Sequence, residues 1–557
     1  MSTDFFAQHR DTLQQALGAS RSREYWSPYP EAPSGKFYGE DAPASGEAAF
    51  KARLNQTFSL EMPGASGETG GELSPYGFEL GIRYPKVHAD ALIDAMCKSL
   101  PAWRDAGSDV RTGICLEVLH RLNQRSFEMA HAVMHTTGQA FAMAFQAGGP
   151  HAQDRGLEAV AYAYEAMTRS ALQARWVKPQ GKRDPLEMEK QFHIVPRGLA
   201  LMIGVSTFPT WNGYPGLFAS LATGNPVIVK PHPAAILPLA ITVEVCQQVL
   251  RESGFDPWLV SLAADTRDAP ITKELAMREE IGVIDFTGSS AFGEWLEENC
   301  RHAQVYTEKA GVNAIVIDST DNLQAMVQNL AFSLSLYSGQ MCTTPQDIFI
   351  PREGIDTDQG RLSFDAVAEA LADGVRQFLS DNERAVNVLG AIQSTETAER
   401  IERAASLGEP VLTSEARQHP QFPSARIRTP LMLKVDAKQQ ADAYAQELFG
   451  PISFLIATDS SEDSIRRATA LARQKGAITW SVYSTRDQVI SRMEEAAFDA
   501  KVSLSINLLG GVFVNQTAAF SDYHATGGNP AANACLCDAA FVSNRFRVVQ
   551  TRRHAAA

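Results

Sequence analysis

The 557-residue sequence is poor in several features, and each shortage excludes something. Seven cysteines are too few for a disulfide framework and read as the reduced thiols of a cytoplasmic protein. Cys535 and Cys537 form a C-x-C with no second ligand pair nearby, so no metal is expected. No uncharged apolar run reaches about 18 residues, so no membrane-spanning helix is expected. The first residues carry Asp4 and lack an apolar core, so no signal peptide is expected either. Basic residues are in deficit: Lys plus Arg is 50, Asp plus Glu is 64, and the formal charge is −14. That balance, without basic runs, argues against nucleic-acid and anionic-membrane partners, while leaving room for a local basic pocket. There is no G-x-S-x-G, no G-x-x-x-x-G-K-[ST] and no H-E-x-x-H. Serine hydrolase, P-loop NTPase and zincin chemistry lose their usual support.

What is present is ordinary globular composition, with 20% charged and 45% hydrophobic residues. The length suits roughly three to four domain-sized units. Residues 4–19 predict one amphipathic helix, and 20–75, rich in Pro, Gly and Ser with interleaved aromatics, an irregular arm. The apolar spacing over 86–173 is helical, with 111–137 read as one segment ended by Gly138. The period then shortens. Segments 174–178 and 190–195 predict short strands, and Gly198–Val205 is an unbroken apolar run of the kind a buried parallel strand shows. Helix 213–223, strand 227–229 ending in Lys230, helix 236–252 and strands 258–262 and 281–286 follow. This alternation is the doubly wound α/β signature. Strands at 314–317 and 347–351 open a second α/β unit, and 546–550 reads as an exposed terminal strand.

Several short motifs carry chemistry. Cys342 lies in Ser338-Gly339-Gln340-Met341-Cys342-Thr343-Thr344, a small polar approach in which backbone amides can face an oxyanion. Glu308 follows a short strand and is placed to act as a general base on water. Phe286-Thr287-Gly288-Ser289 ends a strand and opens a helix, presenting amides to a pyrophosphate. Lys230, with His232 two residues on, ends a strand, and Glu447-Leu448-Phe449 precedes a Gly-Pro turn. Each alone has a plain structural reading: packed thiol, surface acid, simple turn, surface lysine.

In order, these segments resemble the aldehyde dehydrogenase superfamily over about residues 75–530. The string runs Pro196-Arg197-Gly198, Ser206-Thr207-Phe208-Pro209, Gly224-Asn225, Val229-Lys230-Pro231, Phe286-Thr287-Gly288-Ser289, Glu308, Gly339-Gln340-Met341-Cys342 and Glu447-Leu448-Phe449-Gly450-Pro451. The long arm, Ser206 through Asn212, and the tail Phe520 through Gly528 resemble the PaaN group of phenylacetate degradation. The resemblance implies two doubly wound Rossmann-like α/β domains plus a small β oligomerisation element. The corresponding spans are an arm at 1–75, a nucleotide-binding domain at 76–307 with a hairpin near 174–195, a catalytic domain at 308–530, and an oligomerisation segment at 531–557. The terminal strand and the hairpin are expected to pair across subunits of a homodimer or homotetramer.

The resemblance also implies roles. Cys342 attacks an aldehyde to give a thiohemiacetal, and Glu308 activates water against the resulting thioester. Lys230 and Glu447 hold cofactor riboses, Phe449 packs near the nicotinamide ribose, Gly288 and Ser289 meet the pyrophosphate, and Ser206 and His232 border the cofactor. Three departures stand out. The family's oxyanion Asn falls on Thr207, which offers one donor in place of two; Thr207, Asn212 or the Cys342 amide would then serve. The acid that many NAD-using members carry after the lysine is Pro233, which with His232 tilts the expectation to NADP, NAD being possible. Lys309-Ala310-Gly311 replaces the family's Leu-Gly-Gly. The expected function is oxidation of an aldehyde to its carboxylate, the substrate being a semialdehyde of aromatic-acid catabolism, with a CoA-linked one among the candidates. The alternatives are a CoA-acylating dehydrogenase and a non-catalytic cofactor-binding protein on the same fold.

Overall fold

The computed structural model describes residues 4–554. Two parallel sheets organise the chain. The first has five strands in the order Val260–Leu262, Val227–Lys230, Leu199–Ile203, Ile281–Thr287 and Gln304–Glu308. All four pairings are parallel. Leu199–Ile203 is buried throughout, as an unbroken apolar run between two helical layers must be. Helices Pro209–Ala222 and Leu237–Glu252 follow the two central strands, each with Pro in its first turn, where the missing N–H costs nothing.

The second sheet has seven strands in the order Glu409–Leu412, Leu431–Asp436, Ile452–Thr458, Asp347–Pro351, Ala314–Ile317, Thr479–Tyr483 and Ser503–Ile506. Only the edge strand Glu409–Leu412 runs antiparallel. A three-stranded antiparallel sheet, Phe546–His554, Arg183–Pro196 and Gln173–Gln180, stands beside the first domain. Among the described residues, no helix is long and apolar enough to cross a membrane.

The structure corrects several expectations. The first helix is two, Phe5–Gln8 and Arg10–Ser22, broken where the His9 ring turns to Glu117 at 2.7 Å. The helical segment 111–137 is also two, Ser108–Gln124 and Ser126–Thr137. The arm is not irregular throughout: it holds helix Ala42–Arg53 and strand Ala65–Thr69. That helix has little amphipathic signal of its own. Tertiary packing holds it, because Gly46 sits where a Cβ would come within 2.3 Å of Phe127, and Phe50 stacks on His135 at 5.0 Å. Further on, the Glu72 carboxylate accepts from the amides of Ile236 and Leu237 at 2.6 and 3.0 Å, capping a helix of the first domain. The arm is therefore stitched into the body.

The hairpin is longer than read, Gln173–Gln180 and Arg183–Pro196, turning at Gly181 with φ +67°. The terminal strand Phe546–His554 pairs with Arg183–Pro196 of its own chain. The span 531–557 also divides. Ala531 and Ala532 pack beside the second sheet and pair with the backbone at Glu308 and Lys309, and only Phe546–His554 joins the hairpin. Arg545 marks the junction. Fully buried, it grips Asp285 with two hydrogen bonds of 2.8 and 2.6 Å.

Candidate active site

Parallel strands expose their carboxyl ends along one edge, and the chain places its chemistry there. Lys230, Thr287 and Glu308 end three strands of the first sheet. Facing them is the loop after helix Leu323–Ser335. Tyr337, Ser338 and Gly339 have φ of 51°, 47° and 63°, three successive left-handed residues. Strain of this kind persists only where surroundings over-determine it. Here the Ser338 hydroxyl donates to the Leu389 and Arg428 carbonyls at 3.1 Å each. At Gly339 a Cβ would lie 2.4 Å from the Gly450 carbonyl oxygen. Asn313 closes the loop: its amide donates to the carbonyls of Cys342 (2.7 Å) and Thr344 (3.1 Å), while its oxygen accepts from Ile478 and Thr479.

Cys342 Sγ lies 3.5 Å from His524 Nε2, and the same nitrogen lies 3.1 Å from Glu308 Oε1. Asn212 donates to the other carboxylate oxygen at 3.1 Å. Glu308 is thus held by both oxygens between two polar groups. Burial by itself raises its carboxyl, but the neighbouring His524 and the hydrogen bonds from His524, Cys342 and Asn212 outweigh that and hold it below the usual range. Burial, and then the charge of Glu308, push the Cys342 thiol well above its ordinary value. His524 is 1% exposed and stands edge-on to Trp211 at 4.7 Å. The Glu308, Cys342 and His524 donor atoms all lie within 4.8 Å of one another.

Two cavities meet at Cys342. One, of about 750 Å³, is bordered by Ser206, Thr207, Lys230, His232, Gly288 and Ser289, with Glu447 and Phe449 on the far wall. The other, of about 440 Å³, reaches the thiol past Phe208, Trp211 and Phe332 under the arm residues Trp26 and Tyr29. The first cavity brings together the sequence-predicted cofactor residues. Ser289 caps the ten-residue helix Ser290–Asn299, and the Gly288 amide donates to the Glu308 carbonyl at 3.0 Å. Lys230 Nζ is buried on Asp265 Oδ1 and the Pro231 carbonyl, both at 2.7 Å; burial lowers its pKa, against the pull of Asp265. Burial at the cleft pushes Glu447 up to about 7. Phe449 is fixed through its carbonyl, which accepts from Arg400 at 2.6 Å. A lysine, a carboxyl and a helix-opening turn around one cleft form a donor set that fits a dinucleotide with ribose hydroxyls and a pyrophosphate.

Three sequence expectations change at the site. His232 brings no positive charge, because burial lowers its pKa to about 4 and its Nδ1 accepts from the Ala234 amide. Thr207 borders the cleft, with its carbonyl accepting from Gln139 at 2.8 Å, while the Asn212 amide is engaged by Glu308. His524 enters the sequence reading only as part of the tail Phe520 through Gly528, and Asn313 does not enter it.

A sequence profile described as the aldehyde dehydrogenase family matches residues 83–530, and the chain belongs to that family. It has the fold of that class of oxidoreductases. Among solved structures, an NAD-dependent aldehyde dehydrogenase from Burkholderia multivorans is 58% identical over all of both chains, with a TM-score of 0.98. A benzaldehyde dehydrogenase (NAD⁺) of Pseudomonas putida is 23% identical, over 68% of this chain and 73% of its own. A vanillin dehydrogenase of a Pseudomonas strain is 25% identical, over 68% and 74%.

Proposed function

We propose that the protein oxidises an aldehyde to its carboxylate with NAD(P)⁺, by covalent catalysis at Cys342. The observation that carries this reading is the meeting of two cavities at one thiol, one gathering Lys230, Glu447 and the Gly288-Ser289 turn and the other lined by aromatic rings. The Cys342 thiol gives up its proton to Glu308, and the sulfur adds to the aldehyde carbon to form a thiohemiacetal. The Cys342 amide and the Thr207 hydroxyl are the donors proposed for the oxygen. When bound, the dinucleotide supplies the two-electron acceptor, and Lys230, Glu447, Phe449 and the Gly288-Ser289 turn would hold it. After oxidation the carbon is a thioester of Cys342. Glu308 releases the thiol's proton to solvent and, again a carboxylate, takes a proton from water as the water oxygen attacks; the C–S bond breaks, Cys342 leaves as the thiolate, and the acid departs. His524 and Asn212 keep the Glu308 carboxylate aimed throughout.

Retention of Glu308, held by both oxygens, supports hydrolysis over acyl transfer to coenzyme A. Pro233 leaves no carboxylate at the position that would repel a 2′-phosphate, which supports NADP⁺; the NAD-dependent Burkholderia multivorans relative supports NAD⁺. The ratio of kcat/KM for the two decides. The PaaN-like arm and tail support a semialdehyde of aromatic-acid catabolism, linked to coenzyme A. A homodimer or homotetramer is supported by the exposed apolar residues Val177, Leu186, Val548 and Val549 on the three-stranded sheet.

The test is absorbance of reduced nicotinamide with a panel of aldehydes, for wild type and Cys342→Ala. Wild type should turn over at least one aldehyde, and the variant should lose turnover while still binding cofactor. A wild-type protein that binds cofactor but reduces it with no aldehyde would sink the enzyme reading in favour of a binding protein.

A further inference from the structure

The funnel leading to Cys342 has a chemical character of its own. Its walls come from distant parts of the chain, among them the arm, helices Phe141–Gly148 and Pro150–Thr168, helix Pro209–Ala222 with the loop before it, the stretch from Phe332 to Thr343, and the segment 515–519 before His524. Trp26, Tyr29, Phe208, Trp211 and Phe332 supply five aromatic rings, and Met143 fills between them. No lysine or arginine lines it. Its ionisable groups other than Cys342 and His524 are Glu31, His151 and Asp154, besides the tyrosines. Glu31 and His151 satisfy each other at 2.8 Å. Asp154 accepts from the Ser27 hydroxyl at 3.0 Å, and burial pushes its carboxyl well above the usual carboxylate range.

The roof is fastened rather than loosely laid. Trp26 meets Phe520 edge-on at 5.3 Å, the Arg23 guanidinium lies 3.8 Å above the Tyr523 ring, and Ser27 is tied to Asp154. Each contact joins the arm either to the segment that carries His524 or to the funnel wall.

We infer that the part of the substrate lying inside this funnel is uncharged and apolar, large enough to meet the aromatic walls, and that the arm, through Trp26, is a specificity wall for it. This deepens the aldehyde dehydrogenase reading of the same site and rests on it. A carboxylate entering the funnel would leave water for a cavity with no cation to receive it and with two carboxyl groups already present. An aromatic ring gains by burial and by offset or edge contacts with the walls. A semialdehyde is therefore admitted only with its carboxyl group masked, as an ester or a thioester whose charged portion stays outside.

Matched pairs test this on the full-length protein with its cofactor. Benzaldehyde should exceed 4-carboxybenzaldehyde in kcat/KM by on the order of 100-fold. Methyl 6-oxohexanoate should exceed 6-oxohexanoate in the same direction. Trp26→Ala should lower kcat/KM for benzaldehyde by about tenfold and leave propanal nearly unchanged. Gln146→Arg, a cation at a half-exposed wall position, should shift preference toward 4-carboxybenzaldehyde. Equal or better use of the charged member of either pair overturns the inference. Turnover of propanal without discrimination refutes the funnel argument alone, whereas no turnover of any aldehyde refutes the activity beneath it.

Discussion

At the residue scale, the carboxylate and the thiol work against each other at rest. Glu308 is one of the groups that raise the Cys342 thiol, so Glu308→Gln should make Cys342 more readily ionised. Alkylation by iodoacetamide near pH 8 should become faster in that variant, even as steady-state aldehyde oxidation falls by about 100-fold or more. A slower alkylation would show that the carboxylate does not burden the thiol. His524 acts in the opposite sense on Glu308, holding its pKa down. Without it, burial is opposed less, the carboxylate protonates at higher pH, and the base is lost earlier on acidification. In His524→Ala the acid limb of the kcat–pH profile should therefore move to higher pH; an unmoved limb would reduce His524 to packing. Cys342 and Glu308 were legible from the sequence because each sits in a patterned strand–loop or helix–loop context. His524 was not, since it lies 182 and 216 residues from its two partners in a stretch with no periodicity. Its one signal was the unusual tail Phe520 through Gly528. The burial that lowers the pKa of His232 was hidden for a related reason, since the sequence gives the residue but not its surroundings.

At the scale of elements, the strands of the first sheet could be read directly, because a strand buried on both faces writes an unbroken apolar run, as in Leu199–Ile203. Helix Ala42–Arg53 could not, because Gly46 and Phe50 are placed by a neighbouring helix rather than by their own pattern. The pairing of Phe546–His554 within its own chain was equally hidden, since strand partners are a tertiary choice. That strand starts directly after Arg545, whose guanidinium is fully buried on Asp285 and also donates to Ser220 at 2.7 Å. Arg545→Ala would leave the Asp285 carboxylate without its cation. The expected cost is about 3–5 kcal/mol, read as a lower urea midpoint. A shift smaller than about 1 kcal/mol would mean that water replaces the guanidinium.

At the scale of the whole molecule, the three-stranded sheet has two outer strands, Gln173–Gln180 and Phe546–His554, and among the described residues no further strand pairs with it. Open edges with exposed valines are a hazard unless another surface covers them. Val548→Asp, at a residue 54% exposed, should convert the proposed oligomer to smaller species by light scattering while leaving the chain folded. An unchanged mass would place the assembly contact elsewhere. The formal charge of −14 is compatible with a phosphate-bearing cofactor because the cleft gathers its own cations, Lys230, Lys273, Lys309 and Arg400, at one place.

The fastening of the arm to the tail has a consequence in time. A ribosome delivers Cys342 well before His524, and the segment that closes the funnel emerges later still than the arm it must meet. Until both are present, Cys342, the proposed nucleophile, has neither its imidazole neighbour nor its roof. A growing chain therefore carries a thiol that is not yet an enzyme, and competence arrives as a late event of synthesis rather than with the catalytic residue itself. Ribosome-bound chains stalled at residue 500 should fail to turn over aldehyde, and chains extended past residue 554 on a linker should succeed.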